Sequence, residues 1–211
     1  MVKPSEGAEQ VEVISRAELR EWLSVNHGRH DGVWLVSHKK VSPNYLPYDD
    51  LVEECLCFGW VDSLPRALDD KRSMHYIAPR KPSSAWSKVN KTRVTSLIER
   101  GLMAPPGLAL IEKAKEDGAW SFLDDVDNGI APPDLLEELS KFPNAQRHFD
   151  AFPPSSKKII LEWIKMAKRP ETRTKRIQDT AEKAERNERA NHYRKTTQVR
   201  RNLPKIASYD A

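Results

Sequence analysis

The chain has 211 residues (24.2 kDa), 38% hydrophobic and 31% charged, with a mean hydropathy of −0.69. No run approaches the ~18 apolar residues of a membrane-spanning helix, and the two cysteines, Cys55 and Cys57, are too few and too close for a disulfide framework. The formal net charge of +4 is unevenly spread: residues 165–205 hold 14 Lys/Arg against 5 Asp/Glu, which leaves the rest mildly acidic.

Residues 1–10 have no apolar run, so they are expected to be disordered and to carry no export signal. With two free thiols, this predicts a cytoplasmic protein. Ser15-x-x-Glu18 has the pattern of a capping box and opens a short amphipathic helix through Leu23. Gly28 and Asp31-Gly32 turn the chain into a strand running to Lys40, rich in branched and aromatic residues. A loop over 42–47 leads to a helix over 48–58, ended by Gly59 in the position where positive φ is favoured.

Trp60–Leu68 and Ser73–Arg80 read as a hairpin around Asp69-Asp70-Lys71-Arg72, with Pro65 marking an edge or bulged position. After a loop at 81–84, helices are expected over 85–100, 105–115, 134–141, 145–151 and 157–168, with Ser155 and Ser156 capping the last. Gly101, Gly118 and Pro170 punctuate the series, and Pro105/Pro106 and Pro132/Pro133 open two of its members. The expected fold class is α+β: a small mixed α/β part over 11–100, an all-helical part over 101–180, and a basic arm over 181–211.

Cys55-x-Cys57 with His75 falls short of a zinc site, because no second cysteine pair exists and the two thiols point about 200° apart on a helix. No metal and no cofactor are expected. Neither G-x-G-x-x-G nor a P-loop is present. Chemistry concentrates elsewhere. Asp62 and Arg66, four apart on a strand, are expected on one face. Arg80 sits between Pro79 and Pro82, and Trp86, Lys88 and Asn90 follow at a helix start whose amides suit an anion. With Trp60, these residues suit an anionic, partly planar ligand. They fit equally a buried Asp–Arg network with core tryptophans, and spacing alone does not decide.

The segments LCFGWVD (56–62), PRKPSSAWSKVN (79–90), LIERGLMAPPGL (97–108), AKEDGAW (114–120) and WIKMAKRPETRTKRI (163–177) closely resemble the YdeI/OmpD-associated, or bacteriocin-protection, family over about 15–180. Ser63 stands where that family usually has glycine. The resemblance implies a YjbR/CyaY-like α+β layer and a link to stress or bacteriocin protection, with no agreed reaction.

The leading expectation is therefore a cytosolic protein binding an anionic small molecule or a protein partner through Trp60, Asp62, Arg66, Arg80, Trp86, Lys88 and Asn90. A second is weak nucleic-acid binding by the basic arm, through Arg173, Lys175, Arg176, Arg194, Lys195, Arg200 and Arg201. That arm fits a solvated, partly helical tail as well. A third is an enzyme acting on an anionic substrate, although no triad, paired carboxylates or metal signature marks one.

Overall fold

The computed structural model describes residues 7–191, which divide into two units, one up to Ile130 and one from Ala131. The first holds β1 (Gln10–Glu12), α1 (Arg16–Asn26), β2 (Val33–His38), α2 (Tyr48–Cys57), β3 (Trp60–Ala67), β4 (Arg72–Pro79), α3 (Lys88–Glu99), α4 (Pro105–Glu116) and the single turn α5 (Asp124–Asp127). Its four strands form one sheet in the order β1-β2-β4-β3. β1 runs parallel to β2, and the other pairings are antiparallel. The class is mixed α+β. The sequence predicts no strand at 10–12, because three residues with a single apolar position give no alternation to detect.

Local signals explain the elements. Ser15 Oγ accepts from Glu18 N at 3.1 Å, and Glu18 Oε2 returns to Ile14 N, one residue short of a full capping box. Gly59 takes φ +76° after α2, and its carbonyl accepts from Arg80 N, which joins the helix end to the end of β4. Asp69 Oδ1 accepts from the amides of Lys71 and Arg72 and so builds the hairpin turn.

The sheet has two distinct faces. Val33, Leu35, Trp60 and Ile77 share a core with Leu19 and Leu23 of α1, Leu51 and Cys55 of α2, Val94 and Leu97 of α3, and Ile111 and Ala114 of α4. Trp34, Val36, Met74, Tyr76 and Ala78 form a separate cluster on the opposite face. Because α4 and Ala119 share the first core, this unit continues to Ile130, and residue 100 falls inside it.

The pairing of β3 with β4 shifts between Asp62 and Pro65. Asp62 opposes Ile77 and Pro65 opposes His75, so β3 advances three residues while β4 advances two. The extra residue is a bulge, where Ser63 Oγ donates to Tyr76 O at 3.1 Å. The expectation that Asp62 and Arg66 share a face is therefore corrected. Period two holds only while the register holds.

The second unit is helical: α6 (Pro133–Ser140), α7 (Ala145–Ala151), α8 (Pro154–Lys165) and α9 (Pro170–Glu185). Prolines at the first positions start α6, α8 and α9, so α8 opens at Pro154 without a serine cap. Its core gathers Leu135, Leu139, Phe149, Ile160, Ile164, Ile177 and Ala181. Among the described residues, no helix is long and apolar enough to cross a membrane.

Gly107 in α4 packs directly on the C-terminus of α2. A Cβ there would lie 2.2 Å from the Cys57 carbonyl oxygen, whereas a Cβ at Gly28 would meet nothing within 4 Å. Urea denaturation of Gly107→Ala is expected to show a loss of about 1–3 kcal/mol. Gly28→Ala should leave stability unchanged or raise it by up to about 1 kcal/mol.

Candidate functional site

The residues singled out by sequence do not gather at one place. Trp60 is core: its Nε1 donates to His27 O at 3.1 Å, and Trp22 meets it edge-on with ring centroids 5.6 Å apart. Trp86 is equally buried, its ring 5.1 Å from that of Trp120. Arg66 lies on the face away from the main core, its guanidinium 4.5 Å over Trp34. Lys88 is exposed in the first turn of α3, where the Asn90 amide donates to Ser87 Oγ. Asp62 faces the helices with Ile77.

Arg80 is 7% exposed and has no carboxylate partner among the described residues. Its guanidinium stands 4.0 Å over the Trp86 ring, and Nη2 donates to the carbonyl of Ala85 at 2.6 Å. Burial pushes its pKa down to about 10. The planar fork stacks on an indole while satisfying a carbonyl, a combination lysine cannot reproduce. In this arrangement Arg80 holds the 80–86 loop in shape.

Among the basic residues, Arg173 makes two bonds to Asp134, at 2.7 and 2.9 Å. Arg176 donates to Trp163 O and covers that ring, while Lys175 is exposed. Arg194, Lys195, Arg200 and Arg201 lie outside the described residues. Among the described residues no three His, Cys, Asp or Glu side chains are placed to share a metal. Cys55 and Cys57 are buried free thiols, and burial pushes both above the ordinary thiol range, away from reactivity.

A polar constellation does form on the helix-covered face of the sheet, where α2 begins. Tyr48 donates its hydroxyl proton to Asp62 Oδ2 at 2.6 Å, and its ring lies 5.2 Å from that of His75. His75 also lines a cleft of about 390 Å³ with Ser37, Lys39, Tyr45, Tyr48, Leu51 and Ser73 among its neighbours. That volume falls in the range of small-molecule sites. The Nδ1 atom of His75 is buried and has no hydrogen-bond partner among the described residues. Burial pushes His75 below the ordinary histidine range while the Asp62 charge opposes the shift.

Of the expected residues, only Asp62 touches this constellation, and it does so through Tyr48. Ser37, Ser73 and His75 carry one readable signal, and Tyr48, in α2, carries none. In β2 and β4 the inward positions are Val33, Leu35, Ser37 and Ser73, His75, Ile77, so apolar positions give way to polar ones toward the same end of the sheet.

Residues 128–187 match the family described as Bacteriocin-protection, YdeI or OmpD-Associated. Residues 11–110 match a different description, a domain of unknown function (DUF8412). Of the motifs that carry the resemblance, 163–177 lies in the first match, whereas 56–62, 79–90 and 97–108 lie in the second. Neither a curated protein nor a solved structure matches the chain.

Two measurements check the local chemistry. The Tyr48 phenol is pushed up to about 12, first by burial and then by its bond to Asp62. Absorbance titration should show a late-ionising tyrosine, and Asp62→Asn should lower its pKa. Since the unfolded value is about 10, the associated stabilisation is complete below that pH and is lost as pH rises toward 12. Arg80→Ala should lower stability by about 1–3 kcal/mol, with Arg80→Lys recovering little of it. Lys88→Ala should stay within about 0.5 kcal/mol of the parent.

Proposed function

We propose that the chain is a ligand-binding protein whose ligand occupies the cleft between β2, β4 and the start of α2. We further propose that this binding serves bacteriocin protection, the role named in the description that residues 128–187 match. One observation carries the binding reading: His75 presents a buried ring nitrogen without a partner beside an open cleft. Leaving such an atom unpaired costs about 1–3 kcal/mol, which a turn of the ring toward a bound polar group would recover.

The reading places the protein in the cytosol, in keeping with its two unpaired thiols. The cleft draws its polar groups from strands and its walls from a helix and a loop, so the strand groups are held in place before a ligand arrives. No bond-making machinery is required of it. His75, Tyr48 with its hydroxyl donating to Asp62, and strand hydroxyls make a recognition surface.

A thermal-shift screen of the full chain against a library of small polar metabolites tests this proposal. Saturation at one hundred times Kd should add about 2.7 kcal/mol of stability. A genuine hit should vanish in His75→Ala while the melting of the unliganded variant stays close to that of the parent. Hits unaffected by that substitution, or no hits at all, would count against the cleft. Survival of cells exposed to bacteriocin, with and without the His75→Ala chain, tests the protective role separately.

A further inference from the structure

We infer that the ligand of this cleft is a flat ring bearing an oxyanion, its charged head on the Ser37 and Ser73 hydroxyls and its ring toward Tyr45 and Tyr48. The inference rests on the cleft being the binding site. It starts from the floor. Ser37 and Ser73 are directly paired across β2 and β4, and both line the cleft. Ser37 is only 4% exposed, and neither hydroxyl has a hydrogen-bond partner among the described residues. His75, two residues along β4 on the same face, lines the cleft beside them. The two hydroxyls, reachable from the cleft and unpaired among the described residues, are free to donate to a polar guest.

Charge selects the sign of that guest. His38, Lys39 and Lys40 line the cleft, and no carboxylate does. Of the nearby acids, Glu12 is bonded to His38 and shared with Arg72, and Asp62 accepts a hydrogen bond from the Tyr48 hydroxyl. A cationic ligand would meet the ammonium groups of Lys39 and Lys40, while the Glu12 carboxylate beside His38 is already shared with Arg72. An oxyanion would accept hydrogen bonds from the serines and be drawn in by the lysines. Shape selects the rest: the buried side chains of Leu46 and Leu51 and the half-exposed rings of Tyr45 and Tyr48 offer apolar and aromatic walls.

Titration of the isotope-labelled full chain, followed by amide NMR shifts, tests this with benzoate, phenyl phosphate, benzamide and inorganic phosphate. Benzoate or phenyl phosphate should move the Ser37, Ser73 and His75 signals, and the tighter of the two identifies the head. Benzamide, the uncharged isostere, should bind at least tenfold more weakly, and so should ring-free inorganic phosphate. Ser37→Ala combined with Ser73→Ala should weaken the ring oxyanion at least tenfold while leaving benzamide unchanged. Ser73→Ala alone serves if the double variant loses its dispersed spectrum.

Benzamide binding in the cleft as tightly as benzoate would overturn the oxyanion and leave the cleft as the site. Equal affinity for inorganic phosphate would overturn the ring. Binding of the ring oxyanions that moves no cleft signal would overturn both the ligand class and the site. If none of the four probes binds, the ligand class is overturned, and the metabolite screen decides the site on its own.

Discussion

The carboxylate of Glu54 ties together three segments of the first unit. It is 1% exposed, and its two oxygens are claimed separately by Arg16 Nε at 2.6 Å and Arg20 Nη1 at 2.8 Å, both from α1. Arg20 turns its other nitrogen to the Leu102 carbonyl at 2.7 Å, just before α4, while Arg16 spends its remaining donors on Asp50 and Glu53. A buried carboxylate is tolerable only because both oxygens are satisfied by charged donors; with one donor removed, the loss would be that of an uncompensated ion. The geometry also sets which way α2 faces. Leu51 and Cys55 turn to the core, and Tyr48 at the helix start is left at the cleft.

Much of the fold was legible because its punctuation is local. Gly59, the Asp69–Arg72 turn and the prolines at 105, 133 and 170 act within a few residues of the elements they bound, so their effects need no knowledge of the remainder. The site was much less legible, for reasons that particular residues show. Asp62 and Arg66 obey the two-residue period of a strand only if no residue is inserted, and Ser63 hides that insertion in a sequence of ordinary strand formers. Arg80 advertises a charge, but its burial against Trp86 and its bond to a carbonyl five residues on are tertiary facts. Tyr48, Asp62 and His75 are drawn from α2, β3 and β4, and no spacing within one element connects them.

The two family matches follow the two units closely. The cleft, with all its lining residues between Ser37 and His75, lies inside the 11–110 stretch. The described protective association belongs to the 128–187 stretch, a helical bundle whose arginines are largely used on its own carbonyls and carboxylates.

The bulge in β3 has a further consequence at the rim of the sheet. β3 is an outer strand, and outer strands present unpaired amides on which a second molecule can stack. Here the ladder is broken between Asp62 and Pro65, and Pro65 has no amide to offer. The opposite rim, β1, is only three residues long. Neither border holds an uninterrupted template, so the same irregularity that sends Asp62 and Arg66 to different faces also leaves the sheet without a long, regular edge for a second strand to extend.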